Sequence, residues 1–386
     1  MKCQGAVIRG VGQDWEITEI TLDPPREGEV LVKMAVAGIC HSDDHFSTGD
    51  MVPTPDLAAM MEAMGMPRLD YFPLIGGHEG AGVVAEVGPG VRSVKPGDRV
   101  SYSFIAACGK CRWCVSGMTY LCDNGAAMLT KESIDGARRR HLGDEDVTAF
   151  CQLGTFAEYG LLAEESVIKL DESIPLEAAS LVSCGVTTGW GSGTTGVGTK
   201  PGDTVVVVGT GGVGINAVQG ARAAGANMVI AVDPVEFKRD SAKFFGATDT
   251  SPSMEEAIAQ VRELTRGVMA DRVVLTPSVV TADMLTPALA LTSKGGTCLI
   301  TGVPKFELSM VPMLLVDMLQ SCKTLKGLIY GGMNPRASMP MLLDMYRNGH
   351  LKLDELITKR YKLNEINDAI ADLREGRNIR GVIEFD

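Results

Sequence analysis

Positive charge is scarce in this 386-residue chain: 36 Lys and Arg stand against 48 Asp and Glu, a formal net charge of −12. Binding to a phosphate backbone needs a basic face, so nucleic acid is excluded as a partner. Long apolar runs are missing too. The best candidate, "VVVVGTGGVGINAV", is short and broken by glycines. No uncharged apolar stretch reaches the 18 or so residues that span a bilayer, and no membrane partner is expected. The chain does not open on a basic segment followed by an apolar one, so a cytoplasmic protein is expected. Low-complexity segments are absent. Histidine is sparse as well, with only 5 in the chain (His41, His45, His78, His141 and His350), so each is worth placing. What remains is a globular composition, 45% hydrophobic and 22% charged, of a length for two or three domains.

Against that background the cysteines are unevenly spent. Of 10, four fall at Cys108, Cys111, Cys114 and Cys122, a C-x2-C-x2-C-x7-C pattern within "CGKCRWC" and the residues after it. A cytoplasmic protein keeps its thiols reduced, which argues against disulfides. A redox C-x-x-C has no use for a third and fourth cysteine. Four thiolates satisfy one tetrahedral Zn²⁺ with no position left over, the structural kind of site, although an iron–sulfur cluster takes the same ligands. Gly109 and Gly117 allow the tight turns, and Lys110 and Arg112 offset the charge.

A second set is scattered. "GICHSDDH" follows the strand-like "VLVKMAVAG" and holds Cys40; "GGHEGAG" holds His78 before the strand-like "GVVAEVG"; "SCGVTTGWG" holds Cys184. Together they would make a Cys₂His zinc site with an open fourth position, the catalytic arrangement. Taken singly, a cysteine is an ordinary core residue and a histidine an ordinary structural one.

Residues 203–233 read "DTVVVVGTGGVGINAVQGARAAGANMVIAVD". A β-branched run, Val205–Val208, enters Gly209-x-Gly211-x-x-Gly214. The helical pattern Ile215, Val218, Ala221 and a second strand, Met228–Val232, follow. Glycines let the backbone approach a pyrophosphate at a helix N-terminus, where free N–H groups favour anions. Asp233 is placed to accept from an adenosine ribose and to repel a 2′-phosphate, which predicts NAD over NADP; Lys238 lies within reach of the same ribose. Helical patterns at 237–245, 254–266 and 282–291 alternate with strands at 272–276 and 297–302, predicting a doubly wound parallel sheet. Residues 1–185 are instead rich in short strands and Gly/Pro turns.

These motifs, in this order and spacing, resemble the zinc-containing medium-chain alcohol dehydrogenases over nearly the whole chain. The resemblance implies an α/β protein with a β-rich GroES-like catalytic domain (1–185 and 330–386, with a structural zinc lobe at 108–122) and a Rossmann domain (186–329). It implies two Zn²⁺ per chain and NAD. Cys40, His78 and Cys184 become the catalytic zinc ligands, and Glu79 the acid beside them. Ser42 is the hydroxyl that contacts the alcohol, and His45 the outer proton-relay histidine. Thr188 neighbours the nicotinamide, and Gly209, Gly211, Gly212, Val213 and Gly214 cradle the dinucleotide. Arg380, in "NIRG", is a pyrophosphate contact, as is His41, which replaces an arginine common in the family and makes the contact pH-dependent.

"VDPVEFKR", "YGGMNPRASMPMLL" and the long segment between Cys122 and Cys184 are similar to the nicotinoprotein branch, assayed with a nitrosoaniline dye. That branch holds its NAD and is associated with the peptide-derived redox cofactor mycofactocin as acceptor. The resemblance further implies a small alcohol or aldehyde substrate and a homo-oligomer, dimer or tetramer. An ordinary NAD-exchanging alcohol dehydrogenase is the alternative, as is glutathione-dependent formaldehyde dehydrogenase. The latter carries an arginine where this chain has Ala126. The loop between Asp50 and Tyr71 is longer than in common members of the family and holds a methionine cluster, which leaves alcohol size open.

Overall fold

The computed structural model describes residues 1–66, 70–125, 131–134 and 136–386. They form two compact units, Met1–Gly49 with Ala58–Cys184 and Asn334–Asp386, and Asp50–Leu57 with Gly185–Met333. Among these residues no helix is long and apolar enough to cross a membrane.

The first unit is built mainly on antiparallel strands, with Ile357–Tyr361 and Arg380–Glu384 pairing in parallel, and one sheet positions chemistry. In it the strands run in the order Val167–Lys169, Arg99–Tyr102, Glu79–Val87, Glu29–Gly38, Arg380–Glu384, Ile357–Tyr361. Gly38 is the register partner of both Glu79 and Val382, so the end of one strand, the start of a second and the middle of a third meet although they lie far apart in sequence. Glycine at Gly38 leaves room for the Glu79 carboxylate, since a Cβ there would lie 2.4 Å from Oε2 of Glu79. The chain leaves this strand through Ile39 and Cys40 and turns at once into the helix His41–Thr48. A second sheet, which includes Lys2–Ile8 and Glu16–Leu22, closes around Val7, Ile20, Leu22 and Ile75.

The second unit is the doubly wound sheet expected of it. Its six described strands are all parallel, in the order Asp249–Ser251, Met228–Val232, Thr204–Val208, Ala270–Leu275, Thr292–Ile300, Thr324–Gly327. This is the dinucleotide-fold order, with its crevice where the strand order reverses beside Thr204–Val208. Val205, Val206 and Val207 are wholly buried, as strands covered on both faces require. Each contributes roughly 1.5–3 kcal/mol by leaving water. The helix Gly212–Ala223 lies against Gly185–Gly191 so closely that a Cβ on Gly189 would sit 2.1 Å from the carbonyl oxygen of Val213.

Three details depart from the sequence reading. The fifth strand begins at Thr292, not 297, because "SKGG" continues the strand where its composition suggests a turn. The insertion after Asp50 is not merely a loop: Pro55–Ala63 is helical, with Pro55 at the start, where its missing N–H costs nothing. Its first part, Asp50–Leu57, groups with the second unit. Phe306 N–H donates to the Asp50 carbonyl at 2.9 Å, and Thr54 N–H to the Phe306 carbonyl at 3.0 Å.

Candidate metal and dinucleotide sites

Cys40 precedes the helix His41–Thr48 in extended conformation. His78 follows Gly77, which holds a φ of +89° where a side chain would strike Thr155 and Phe156. Cys184 ends the segment after the helix Leu176–Leu181, tied down where Ser183 Oγ accepts from Gly80 N–H at 3.1 Å. The result is a buried quartet of Cys40, His78, Glu79 and Cys184, with one ligand atom from each lying within 4.8 Å of the others. Nε2 of His78 is buried with no hydrogen-bond partner. A buried polar atom without a partner costs free energy, and an ion held by two thiolates and this nitrogen removes the cost. The donor set suits Zn²⁺.

Burial and mutual contact shift the protonation of these groups in different directions, Cys40 down and Cys184 and His78 up. The Cys184 thiol hydrogen-bonds Cys40 and holds the Cys40 pKa well below the usual thiol value. Burial disfavours a charged His78, yet Asp43 and Cys40 outweigh it and raise its pKa. Glu79 is pushed up to about 7 by burial, against the pull of Arg380. Arg380 opens its strand with its guanidinium on Glu79, while its Nε has no partner.

Asp43 is the residue that sequence reasoning missed. Its Oδ1 accepts from Gly77 N–H at 2.8 Å and lies 3.2 Å from Nδ1 of His78. Its neighbour Asp44 turns the other way, to Arg374 at 2.6 Å. Adjacent aspartates look alike in a sequence. A helix places them 100° apart, and that is what separates their roles.

Ser42 lies beside the quartet, its Oγ accepting from the Cys40 thiol at 3.8 Å. His45 is on the same helix, only 2% exposed, its ring 6.3 Å from that of His41. The helix thus carries Ser42, His41 and His45 on consecutive turns beside Cys40.

In the second lobe Cys108, Cys111, Cys114 and Cys122 also converge within 4.8 Å. The Cys108–Cys114 and Cys111–Cys122 sulfurs lie 4.0 and 3.9 Å apart. That is close to the roughly 3.8 Å edge of a tetrahedron with Zn–S bonds of about 2.3 Å. Backbone N–H groups of Cys108, Cys111 and Cys114 point at the sulfurs of Cys122, Cys108 and Cys111. Such bonds from the backbone, at Asp123 and Cys114, bring Cys111 down to about 6. Gly109 and Gly117 take φ of +74° and +85°.

In the second unit Gly209 has φ +84°, with Pro277 against the position of any Cβ, and a Cβ on Gly214 would overlap the Gly209 carbonyl. Gly211 differs: nothing lies within 4 Å of a Cβ there, so the space over the turn is open. Gly212, Val213 and Gly214 form the first turn of the helix. Asp233 ends the second strand with both carboxylate oxygens oriented, Oδ2 by Thr210 N–H at 2.8 Å and Oδ1 by Val235 N–H at 2.9 Å. Lys238 is in the first turn of the next helix, Glu236–Phe244. Thr188, in the helix Gly185–Gly191, keeps a buried hydroxyl with no partner. The open turn, the fixed carboxylate and this hydroxyl suit a dinucleotide. Ala126, which the sequence reading weighed against the glutathione-dependent alternative, lies outside the described residues.

Residues 26–172 match the alcohol dehydrogenase GroES-like domain, and residues 212–348 the zinc-binding dehydrogenase domain. The chain is 49% identical to an NDMA-dependent alcohol dehydrogenase of Amycolatopsis methanolica over 383 residues, covering 99% of each. It is 44% identical to alcohol dehydrogenase B of Mycobacterium tuberculosis, covering 100% of this chain and 99% of the relative. A solved benzyl alcohol dehydrogenase from Acinetobacter calcoaceticus superposes with a TM-score of 0.88 at 26% identity, covering 100% of both chains. Fold and site define a medium-chain dehydrogenase. The chain belongs to the zinc-containing alcohol dehydrogenases of that class, most like the nicotinoprotein branch, and is an oxidoreductase.

Proposed function

We propose that this enzyme oxidises an alcohol to an aldehyde or ketone with two Zn²⁺ and one NAD per chain. The observation that carries this reading is the buried Cys40–His78–Cys184 set with the unpartnered Nε2 of His78. Those three residues hold the catalytic metal, and Cys108, Cys111, Cys114 and Cys122 the structural one. When bound, the zinc supplies Lewis acidity toward the alcohol oxygen and the nicotinamide supplies a hydride acceptor.

The chain's own residues do the rest. Ser42 Oγ takes the alcohol proton, and His45 passes it outward as general base. Gly209, Gly211, Gly212, Val213 and Gly214 leave room for the pyrophosphate, which Arg380 and His41 contact. Asp233 and Lys238 hold the ribose, with the carboxylate selecting NAD over NADP. Thr188 neighbours the nicotinamide.

We further propose that NAD stays bound through turnover and is reoxidised in place by an external acceptor. The resemblance to the dye-dependent relative of Amycolatopsis methanolica supports this. The test is to denature freshly dialysed protein and measure the nicotinamide released, then to assay a panel of alcohols with a nitrosoaniline dye or with added NAD. Near-stoichiometric NAD with dye-supported turnover is expected. Empty protein that turns over freely with soluble NAD contradicts the held cofactor.

A further inference from the structure

Aromatic side chains make up only 5% of the chain, yet they gather around one metal-site residue. The ring of His78 meets Phe150 edge-on at 4.8 Å and Phe104 at 5.9 Å, and Phe150 in turn meets Phe46 at 4.9 Å. Phe150 opens a turn of unusual backbone. Cys151 and Gln152, both buried and neither a glycine, take φ of +55° and +62° in succession. Left-handed backbone at consecutive side-chain-bearing residues persists only where the surroundings over-determine it, and it gathers at functional sites.

Arg140 does the over-determining. It is 4% exposed, and its hydrogen bonds go to neutral acceptors on Gln152 and Leu161. Its Nη2 donates to the Gln152 carbonyl at 3.0 Å and the Leu161 carbonyl at 2.7 Å, and its Nη1 reaches Oε1 of Gln152 at 3.5 Å. Burial lowers its pKa to about 10. The Gln152 amide is held on its other side by the Glu132 carbonyl at 2.8 Å. A buried charge spent on carbonyl oxygens is an expensive way to stabilise a fold, since an apolar side chain of similar volume serves stability as well. It is an effective way to fix one backbone conformation, because the guanidinium fork addresses several acceptors at once.

We propose that Arg140 is a positioning residue for alcohol selection: by holding the Cys151–Gln152 turn left-handed, it fixes the Phe150 ring against His78 as a rigid wall of the alcohol site. The inference rests on the assignment of Cys40, His78 and Cys184 to an alcohol-binding metal. A rigid wall beside the metal sets the size of alcohol admitted, and loosening it favours larger substrates.

The test compares wild type with Arg140→Met and with Arg140→Lys, which keeps the charge but cannot address the Gln152 and Leu161 carbonyls with one planar fork. kcat and KM are measured for ethanol and benzyl alcohol with the acceptor that supports wild-type turnover, and crystal structures of the variants are determined. The expected outcome is a change of about tenfold in the benzyl-to-ethanol ratio of kcat/KM, carried mainly by KM for benzyl alcohol. Ethanol turnover stays within about threefold, and the Phe150 ring leaves His78. A purely structural arginine lowers the thermal midpoint and leaves that ratio alone. If Arg140→Met does not fold, Arg140→Lys decides. A ratio within twofold of wild type with the ring in place overturns the proposal. The crystal structures decide positioning even if neither alcohol is a substrate, an outcome that would count against the alcohol-oxidation reading alone.

Discussion

Oδ1 of Asp43 stands 3.2 Å from Nδ1 of His78 and accepts the Gly77 N–H at 2.8 Å, so one carboxylate oxygen orients both the imidazole and the turn that carries it. With Nδ1 facing the carboxylate, Nε2 is the nitrogen left to face Cys40 and Cys184. Such partners of a ligating histidine fix its orientation and raise its basicity. Asp43→Ala is therefore expected to weaken the catalytic metal by roughly 10–100-fold. Zinc retained against a graded chelator measures this, and the Cys108–Cys122 site should hold its ion unchanged.

The two metal sites should fail in different ways. Cys111 caps the short helix Arg112–Val115 and shares its sulfur with the Cys114 N–H, so local backbone order depends on it. Binding energy at a closed site of this kind is folding energy. Cys111→Ser should reduce soluble yield and lower the thermal midpoint by more than roughly 5 °C, as loss of a few kcal/mol does in a chain of this size. Cys40→Ala, at the open site, should lose turnover with a midpoint near that of wild type.

The Asp233 carboxylate is oriented by two backbone N–H groups before any ribose arrives. Asp233→Gly removes that acceptor and its negative charge. NAD affinity should fall by about 10–100-fold, the range for a hydrogen bond to a charged group. The preference over NADP should shrink with it, as titration calorimetry with both dinucleotides can show. An unchanged preference would mean that another group reads the 2′ position.

Acid should expose a separate ion cluster. Asp372 receives Lys359, Tyr361 Oη at 2.6 Å and Arg377 Nε at 2.6 Å. The Lys359 hydrogen bond, then those of Tyr361 and Arg377, hold its carboxyl down at about 2, below the ordinary 3.8. A depressed folded pKa means the stabilisation is complete above the unfolded value and fades as pH falls through about 4 to 2. Asp372→Asn should cost about 1 kcal/mol at pH 7, since Lys359 and Arg377 are each half exposed and water screens them. Urea unfolding at pH 7 and at pH 3 should show the gap between variant and wild type narrowing in acid.

Much of this molecule is legible before any fold is built, for identifiable reasons. A buried parallel strand must be apolar throughout, so Val205–Val208 declares itself, and the glycines after it are dictated by close backbone contacts at Gly209 and Gly214. Four cysteines in one lobe are neighbours in the chain and so in space. Cys40, His78 and Cys184 are not neighbours in the chain. Their meeting depends on Gly38 pairing with Glu79 and on Ser183 catching the backbone of Gly80, long-range choices that leave no periodic trace. Asp43 is hidden by its twin, Asp44. The helix Pro55–Ala63 has no buried residue among those described, so it lacks the apolar stripe by which a helix is recognised. Arg140 reads as one of three consecutive arginines, Arg138–Arg140, and only the structure shows it turned inward among carbonyl oxygens.

An open zinc site of Cys40, His78 and Cys184 that oxidises alcohol, and a closed one of four cysteines that holds the fold, should separate cleanly on mutation. Metal analysis of wild type and Cys184→Ala, each paired with an alcohol oxidation assay, tests it most directly. Two zinc ions per wild-type chain are expected, and one in a folded Cys184→Ala protein without measurable turnover. Two ions and undiminished turnover in Cys184→Ala would contradict it.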